Sequence, residues 1–268
     1  MLLMGKYVMT MNKEKRSTKD IVFKCTYNDG GVGQNGIGFT KTCNDALIKQ
    51  HIKDKKAWCS NDGCPCKNYI DGEISNSERE QSYDSGAHAC YERSMLIDWK
   101  ALAGTHNPNK HTEGTGLRIK NAGMNSLAIL TTRLPGFPEK DRIIFALFIV
   151  DDFYEGDENT TGYVSAHSKY RMNFTLEEGR KLLFWKYHAN KNSPSKPLWG
   201  TGLFRYITKE ESSRILWDAA KLKIGTEDEQ LAKEIFCYYC EQHHLDKERV
   251  GKPEGALTKQ YDSSCNDL

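Results

Sequence analysis

Three thiols fall within eight residues in Cys59-Ser-Asn-Asp-Gly-Cys64-Pro-Cys66, with Gly63 and Pro65 allowing the chain to turn tightly between them. Thiolates at that spacing suit a tetrahedral zinc ion, which needs a fourth ligand. Cys43 is preferred for that place, with Cys25 and Cys90 as alternatives. An iron–sulfur cluster is the lesser reading, since four cysteines serve both. A closed four-thiolate site leaves no open coordination position, so the expected metal shapes the region and does no chemistry. The chain has nine cysteines. An odd number and no visible export signal argue for reduced thiols and metal binding over a disulfide framework. Cys237 and Cys240, followed by His243 and His244, could form half of a second site, but their spacing inside an expected helix favours a packing role.

A second group could bind a ligand. Phe184-Trp185-Lys186-Tyr187-His188 is followed by Trp199-Gly-Thr-Gly-Leu-Phe204-Arg205-Tyr206, in a stretch from Gly179 to Lys209 with no Asp or Glu. Aromatic faces hold unstacked bases while Lys and Arg neutralise phosphate. Trp185, Lys186, Tyr187, Trp199, Arg205 and Tyr206 are therefore the expected nucleic-acid contacts, with DNA or RNA as partner. The same pattern would also arise from a helix packing its Leu and Trp into a core. The acidic run Asp151-Asp152-Phe-Tyr-Glu155-Gly-Asp157-Glu158 could hold Mg²⁺ for phosphodiester cleavage. A metal-dependent, restriction-endonuclease-like nuclease using Asp151, Asp152 and Glu155, or His106 and His111, is accordingly one alternative function. A zinc-containing protein-interaction module is another. The nucleophile-elbow, P-loop, zincin and dinucleotide fingerprints do not occur.

These groups need elements to position them. Ile21 to Tyr27 has strand composition and ends in the turn-rich Asn28-Asp-Gly-Gly-Val-Gly33. Residues 44–55 fit a short helix, 58–69 an irregular knuckle, 71–85 a polar loop and 104–123 a surface loop. Ser126–Thr132 and Ile143–Val150 read as buried strands, with shorter ones at 163–167 and 171–174. Thr175 with Glu178, Thr208 with Glu211 and Thr226 with Glu229 each match a capping box, which predicts helices over 176–189, 209–221 and 227–242.

Composition bounds the class. At 268 residues, 38% apolar and 28% charged, the chain can bury a sizeable core in one large or two modest domains. The apolar run Ile143–Val150 is about a third of a membrane span, so no membrane association and a cytoplasmic location are expected. Net charge is +2, but it is segregated: from Trp99 to Pro138 only Glu113 opposes five cations. Segregated charge can present a strongly positive face. The expected organisation is a loose leader at 1–20, a cysteine-rich zinc-binding region at 21–98, an α+β domain at 99–245 and a polar tail at 246–268.

From about Ser126 to Ala220 the order of features resembles the PUA-like superfamily, and within it the EVE and YTH-type domains. The features are the strand ending in Thr131-Thr132, the strand Ile143–Val150, the segment Phe184-Trp185-Lys186-Tyr187, and Trp199-Gly-Thr-Gly-Leu-Phe204-Arg205-Tyr206 before a helix. The resemblance implies a small curved β-barrel flanked by helices. It implies an aromatic pocket for a modified base, with Trp185 or Trp199 as wall and Arg205 on phosphate, often within a defence or restriction system.

Overall fold

The structure, a computed structural model, describes residues 18–259 apart from 34–35, 57, 89, 105–115 and 158. Most of the expected leader, together with His106, His111, Glu158 and Cys265, lies outside the described residues.

The chain is α+β, built on a curled six-stranded half-barrel flanked by helices. In chain order the strands are β1 (Asp20–Cys25), β2 (Lys100–Leu102), β3 (Leu127–Thr132), β4 (Ile143–Tyr154), β5 (Tyr163–Asn173) and β6 (Phe204–Ile207). Their order across the sheet is β2-β5-β4-β3-β1-β6. β1 runs parallel to β3, with Ile21 opposite Ala128 and Cys25 opposite Thr132; every other pairing is antiparallel.

The apolar runs in β3 and β4 do not alternate because both faces of the sheet are covered. Val22, Leu127, Ile129, Ile144, Leu147 and Ile149 face one core, with Trp185, Trp199 and the C-terminal helices. Ile21, Phe23, Ala128, Leu130, Phe145, Phe148 and Val150 face the other, with Phe39, Met95 and Leu96. A bulge opposite Leu130 and Thr131 inserts an extra β4 residue, which is why Phe145 and Ala146 share a face.

Four helices lie in the long connection from β1 to β3: α1 (Asp45–Lys53), α2 (Pro65–Ile70), α3 (Asn76–Asp84) and α4 (Tyr91–Asp98). The stretch expected to be a polar loop thus holds α3, started by a capping box between Ser75 and Glu78. Because β1 precedes this connection yet lies inside the sheet, the cysteine-rich region is an excursion from the α+β body and shares a strand with it.

After β5 come α5 (Leu176–Lys181), α6 (Phe184–Tyr187), α7 (Lys209–Leu222) and α8 (Glu229–His243). The continuous helix expected over 176–189 is broken at Leu182 and Leu183. Their backbone turns to the start of β4 instead: Ile144 N–H donates to Leu182 O (3.0 Å), and Phe184 N–H to Arg142 O (2.9 Å). Sheet bonds there replace helical ones. The boxes at Thr175 and Thr208 form as expected. At Thr226 the box does not form: its hydroxyl donates to Lys223 O (2.8 Å), while Glu229 accepts from Gly225 N–H (2.7 Å). Gly225 has φ +80°, a left-handed turn that moves the helix start to Asp228. The region expected to be a polar tail also contributes, with Ala256 fully buried and its N–H on His188 O (2.9 Å).

Candidate metal centre and the basic face beside it

The excursion between β1 and β3 begins with a buried polar knot. Asn28 accepts from the amides of Gly30 (2.7 Å) and Phe39 (3.2 Å), and Asp29 accepts from those of Gly31 (3.0 Å), Gly33 (3.1 Å) and Asn44 (3.0 Å). Asn44 in turn caps α1. The knot therefore places Cys43, one residue before that cap.

Cys59 follows α1 on a turn, Cys64 is the residue before α2, Cys66 lies in the first turn of α2, and Cys90 precedes α4. Cys43, Cys64, Cys66 and Cys90 all pack against one small cluster around Ile48 and Tyr83. Cys59 has its Sγ 3.7 Å from Nδ1 of His51. Cys66 Sγ lies 3.1 Å from the Tyr83 hydroxyl.

Burial raises the Cys43 and Cys59 thiols to about 12, with Asp29 and Cys59 adding to it at Cys43, and Glu92 and Cys64 at Cys59. Cys90 is raised well above its usual value, by burial and then by Glu92, Cys43 and Cys59. Cys64 goes the other way, to about 6, because the Cys66 S–H points at its sulfur. The amides of Lys67 and Cys66 also face that sulfur, without closing a helix-cap hydrogen bond. Among the described residues no three His, Cys, Asp or Glu side chains are arranged to hold a metal ion. Of the expected ligands, Cys43, Cys64 and Cys66 share one cluster with Cys90, the alternative fourth ligand, while Cys59 contacts His51.

The expected aromatic pocket is occupied by the protein's own side chains. Trp185 is fully buried, with its indole N–H on Glu139 (3.2 Å). Trp199 is 6% exposed, and its N–H donates to Gly202 O (2.7 Å). The Arg205 guanidinium lies 4.4 Å from the Trp199 ring centre and that of Arg142 4.8 Å, so the ring is covered by protein cations. Tyr187 is 2% exposed and donates to Asp218 (2.9 Å), which also pairs with Lys186 (3.0 Å). Arg205 donates to Asn190 (3.0 Å) and to Trp199 O (2.5 Å). Tyr206 is on the opposite face of β6, against the second core, and accepts from Asn121 N–H (3.3 Å). Alternation along a strand thus separates Arg205 from Tyr206. Trp185, Tyr187 and Trp199 therefore offer no open aromatic face, and Lys186 and Arg205 are engaged within the protein.

The acidic run falls at the end of β4 and the turn after it. Asp152 accepts from the Tyr163 hydroxyl (3.0 Å), Glu155 pairs with Arg118 (3.6 Å), and Asp157 accepts the amides of Asn159 and Thr160. Asp152, Glu155 and Asp157 thus each serve a separate local contact.

Positive charge gathers instead around Lys24, near the ends of β1 and β3. Lys24 is on β1, with its ammonium on Gly200 O (3.1 Å). Its pKa is lowered by burial and then by the charge of Arg142, with Arg133 and Lys56 adding to the effect, while Glu139 alone opposes it. That carboxylate is already bound by Arg142 (2.5 and 2.9 Å). Among the described residues Lys24, Lys56 and Arg133 form no ion pair. Two aromatic side chains sit in the same segments: Trp58, 55% exposed and two residues beyond Lys56, and Phe137, 44% exposed in the turn after Arg133. Sequence reading missed this face because its members come from three separate segments, and only their convergence on Lys24 makes a site of them.

No family model matches the chain, and no curated protein or solved structure matches it either. The PUA-like resemblance therefore rests on the sequence features alone.

Proposed function

We propose that the chain binds nucleic acid, DNA or RNA, on the face formed by Lys24, Lys56 and Arg133 with the exposed rings of Trp58 and Phe137. The observation that carries this reading is a group of cations without carboxylate partners. Lys24, Lys56 and Arg133 form no ion pair among the described residues. The charges of Arg142, Arg133 and Lys56 add to burial in lowering the Lys24 pKa, and the Glu139 carboxylate is held by Arg142. A polyanion relieves that repulsion, and phosphate contacts release counterions as well. Trp58 and Phe137, exposed in the same chain segments as Lys56 and Arg133, offer stacking surfaces for single-stranded bases. The acid-free segment 179–209 supports the reading less directly. Most of its aromatics are core, but Lys191, Lys196 and the Gly200 loop remain exposed.

Titration of labelled single-stranded and duplex DNA and RNA, at salt between about 50 and 200 mM, tests the proposal. Binding that weakens steeply with salt, and further in a Lys24→Gln/Lys56→Gln/Arg133→Gln variant, is expected. No binding at low salt, or unchanged binding by that folded variant, overturns it.

A further inference from the structure

A cleft of about 320 Å³ lies between the broken pair α5 and α6 and one face of α7. Its walls are Lys181 at the end of α5, Lys186 on α6, and Arg214, Asp218 and Lys221 on α7, with two leucines. In one continuous helix, at 3.6 residues per turn, Lys181 and Lys186 would stand about 140° apart around the axis. The break at Leu182 and Leu183 lets both border the same space. Arg214, Asp218 and Lys221 follow at spacings of four and three, which share one face of a helix.

Four cations thus meet one carboxylate in the walls. The Asp218 side chain is 12% exposed, and its oxygens already accept from three donors. Lys186 (3.0 Å) and the Tyr187 hydroxyl (2.9 Å) share one oxygen, and Arg214 (2.8 Å) takes the other. One negative charge is therefore divided between two cations. Lys181 pairs with Glu177 outside the cleft (3.2 Å), and both side chains are mostly exposed, so the pair is weak. Lys221 is exposed and forms no ion pair among the described residues; its ammonium lies 4.9 Å from the Trp217 ring. Arg214 also donates to Gly251 O (3.0 Å), and its Nε–H is buried without an acceptor among the described residues. A buried donor in that state gains when an acceptor reaches it.

We propose that this cleft binds a small phosphorylated compound through a multiply charged group, such as a diphosphate. An excess of cations around one small volume attracts concentrated negative charge. Lys and Arg N–H groups form charge-assisted hydrogen bonds with phosphate oxygens, about twice as strong as neutral ones. A nucleic-acid strand spreads its charge along its length, one per phosphate. The cleft instead gathers its cations around a space at the small end of the roughly 300–1,000 Å³ of small-molecule sites. The inference uses no residue of the Lys24 face and does not depend on nucleic-acid binding.

The test is calorimetric titration of the full chain with pyrophosphate in buffer free of divalent ions. Sulfate at matched ionic strength is the comparison, and a single-stranded oligonucleotide the competitor. Pyrophosphate should bind more tightly than sulfate and raise the melting temperature. Lys181→Gln/Lys221→Gln changes two exposed positions, so it should fold normally and bind pyrophosphate at least about tenfold more weakly. Lys221→Gln alone should lose part of that affinity, and the Lys24→Gln/Lys56→Gln/Arg133→Gln variant should lose none. No binding at about 1 mM pyrophosphate, binding no tighter than sulfate, or undiminished binding by the folded Lys181→Gln/Lys221→Gln variant overturns the proposal. So does displacement of pyrophosphate by the oligonucleotide, which would make the cleft part of a nucleic-acid track.

Discussion

Asp20 and Lys209 are 189 residues apart in sequence and 2.8 Å apart in space, with the Asp20 side chain entirely buried. Asp20 also accepts the Leu127 amide (2.7 Å) and the Tyr239 hydroxyl. One carboxylate therefore joins the start of β1 to β3, α7 and α8. Removing a single partner from such a buried pair leaves the others desolvated and unpaired, which typically costs ~3–5 kcal/mol. Asp20→Ala should lose stability on that scale in urea unfolding, while Asp20→Asn, which keeps an acceptor, should lose less.

His243 gives the fold a pH dependence. Its Nε2 meets Asn125 O (2.8 Å) and lies 3.4 Å from the Lys209 ammonium, with Asp20, Tyr239 and His244 also nearby. Burial lowers its pKa below the ordinary 6.5, and the Lys209 charge adds to this against the raising effects of Asn125 and Asp20. The folded protein thus prefers neutral His243 more than the unfolded chain does. Its contribution to stability is complete above pH 6.5 and declines as pH falls through the depressed folded value. Melting temperature measured from pH 7.5 to 5 should fall, and His243→Asn should flatten that slope.

Trp199 and Trp58 should respond differently to truncation. Trp199 is enclosed by Phe184, Trp185, Arg142 and Arg205, so Trp199→Ala should cost ~3–5 kcal/mol of stability as a core truncation. Trp58 is mostly exposed, so Trp58→Ala should stay within ~0.5 kcal/mol of the unmodified chain. It should weaken single-strand binding by ~1–3 kcal/mol if bases stack on it. Unfolding curves and titrations on the same two variants separate the roles.

Lys24 and Arg133 should behave as phosphate contacts. Each Gln substitution should lower the slope of log affinity against log salt by ~0.7–0.9, with little change in preference among sequences. Lys181→Gln, whose ammonium pairs with Glu177 on exposed α5, should leave that slope unchanged.

Much of the framework was legible in the chain. The apolar runs at 127–132 and 143–150 became central strands because buried sheets need no alternation, and the Thr175 and Thr208 boxes start helices where their spacing predicts. The Ser75–Glu78 box of α3 carries the same signal, but the polar residues after it show no apolar period to mark a helix. The Thr226 box was legible and did not form, since a left-handed glycine turn offered its donors and acceptors other partners.

The sequence by itself determined which segments are apolar, where two of the C-terminal helices start, and that thiols cluster near residue 60. Those properties are local: they depend on composition, spacing and the orphan amides of a helix end. Only the tertiary structure decided that Trp185 and Trp199 are core, that Arg205 and Tyr206 face opposite sides of β6, and that Cys90 packs in one cluster with Cys43, Cys64 and Cys66. It also brought the charges of Lys56 and Arg133 to bear on Lys24. An aromatic or a cation has the same identity whether it packs inward or faces water, and the choice follows from which distant segments cover it.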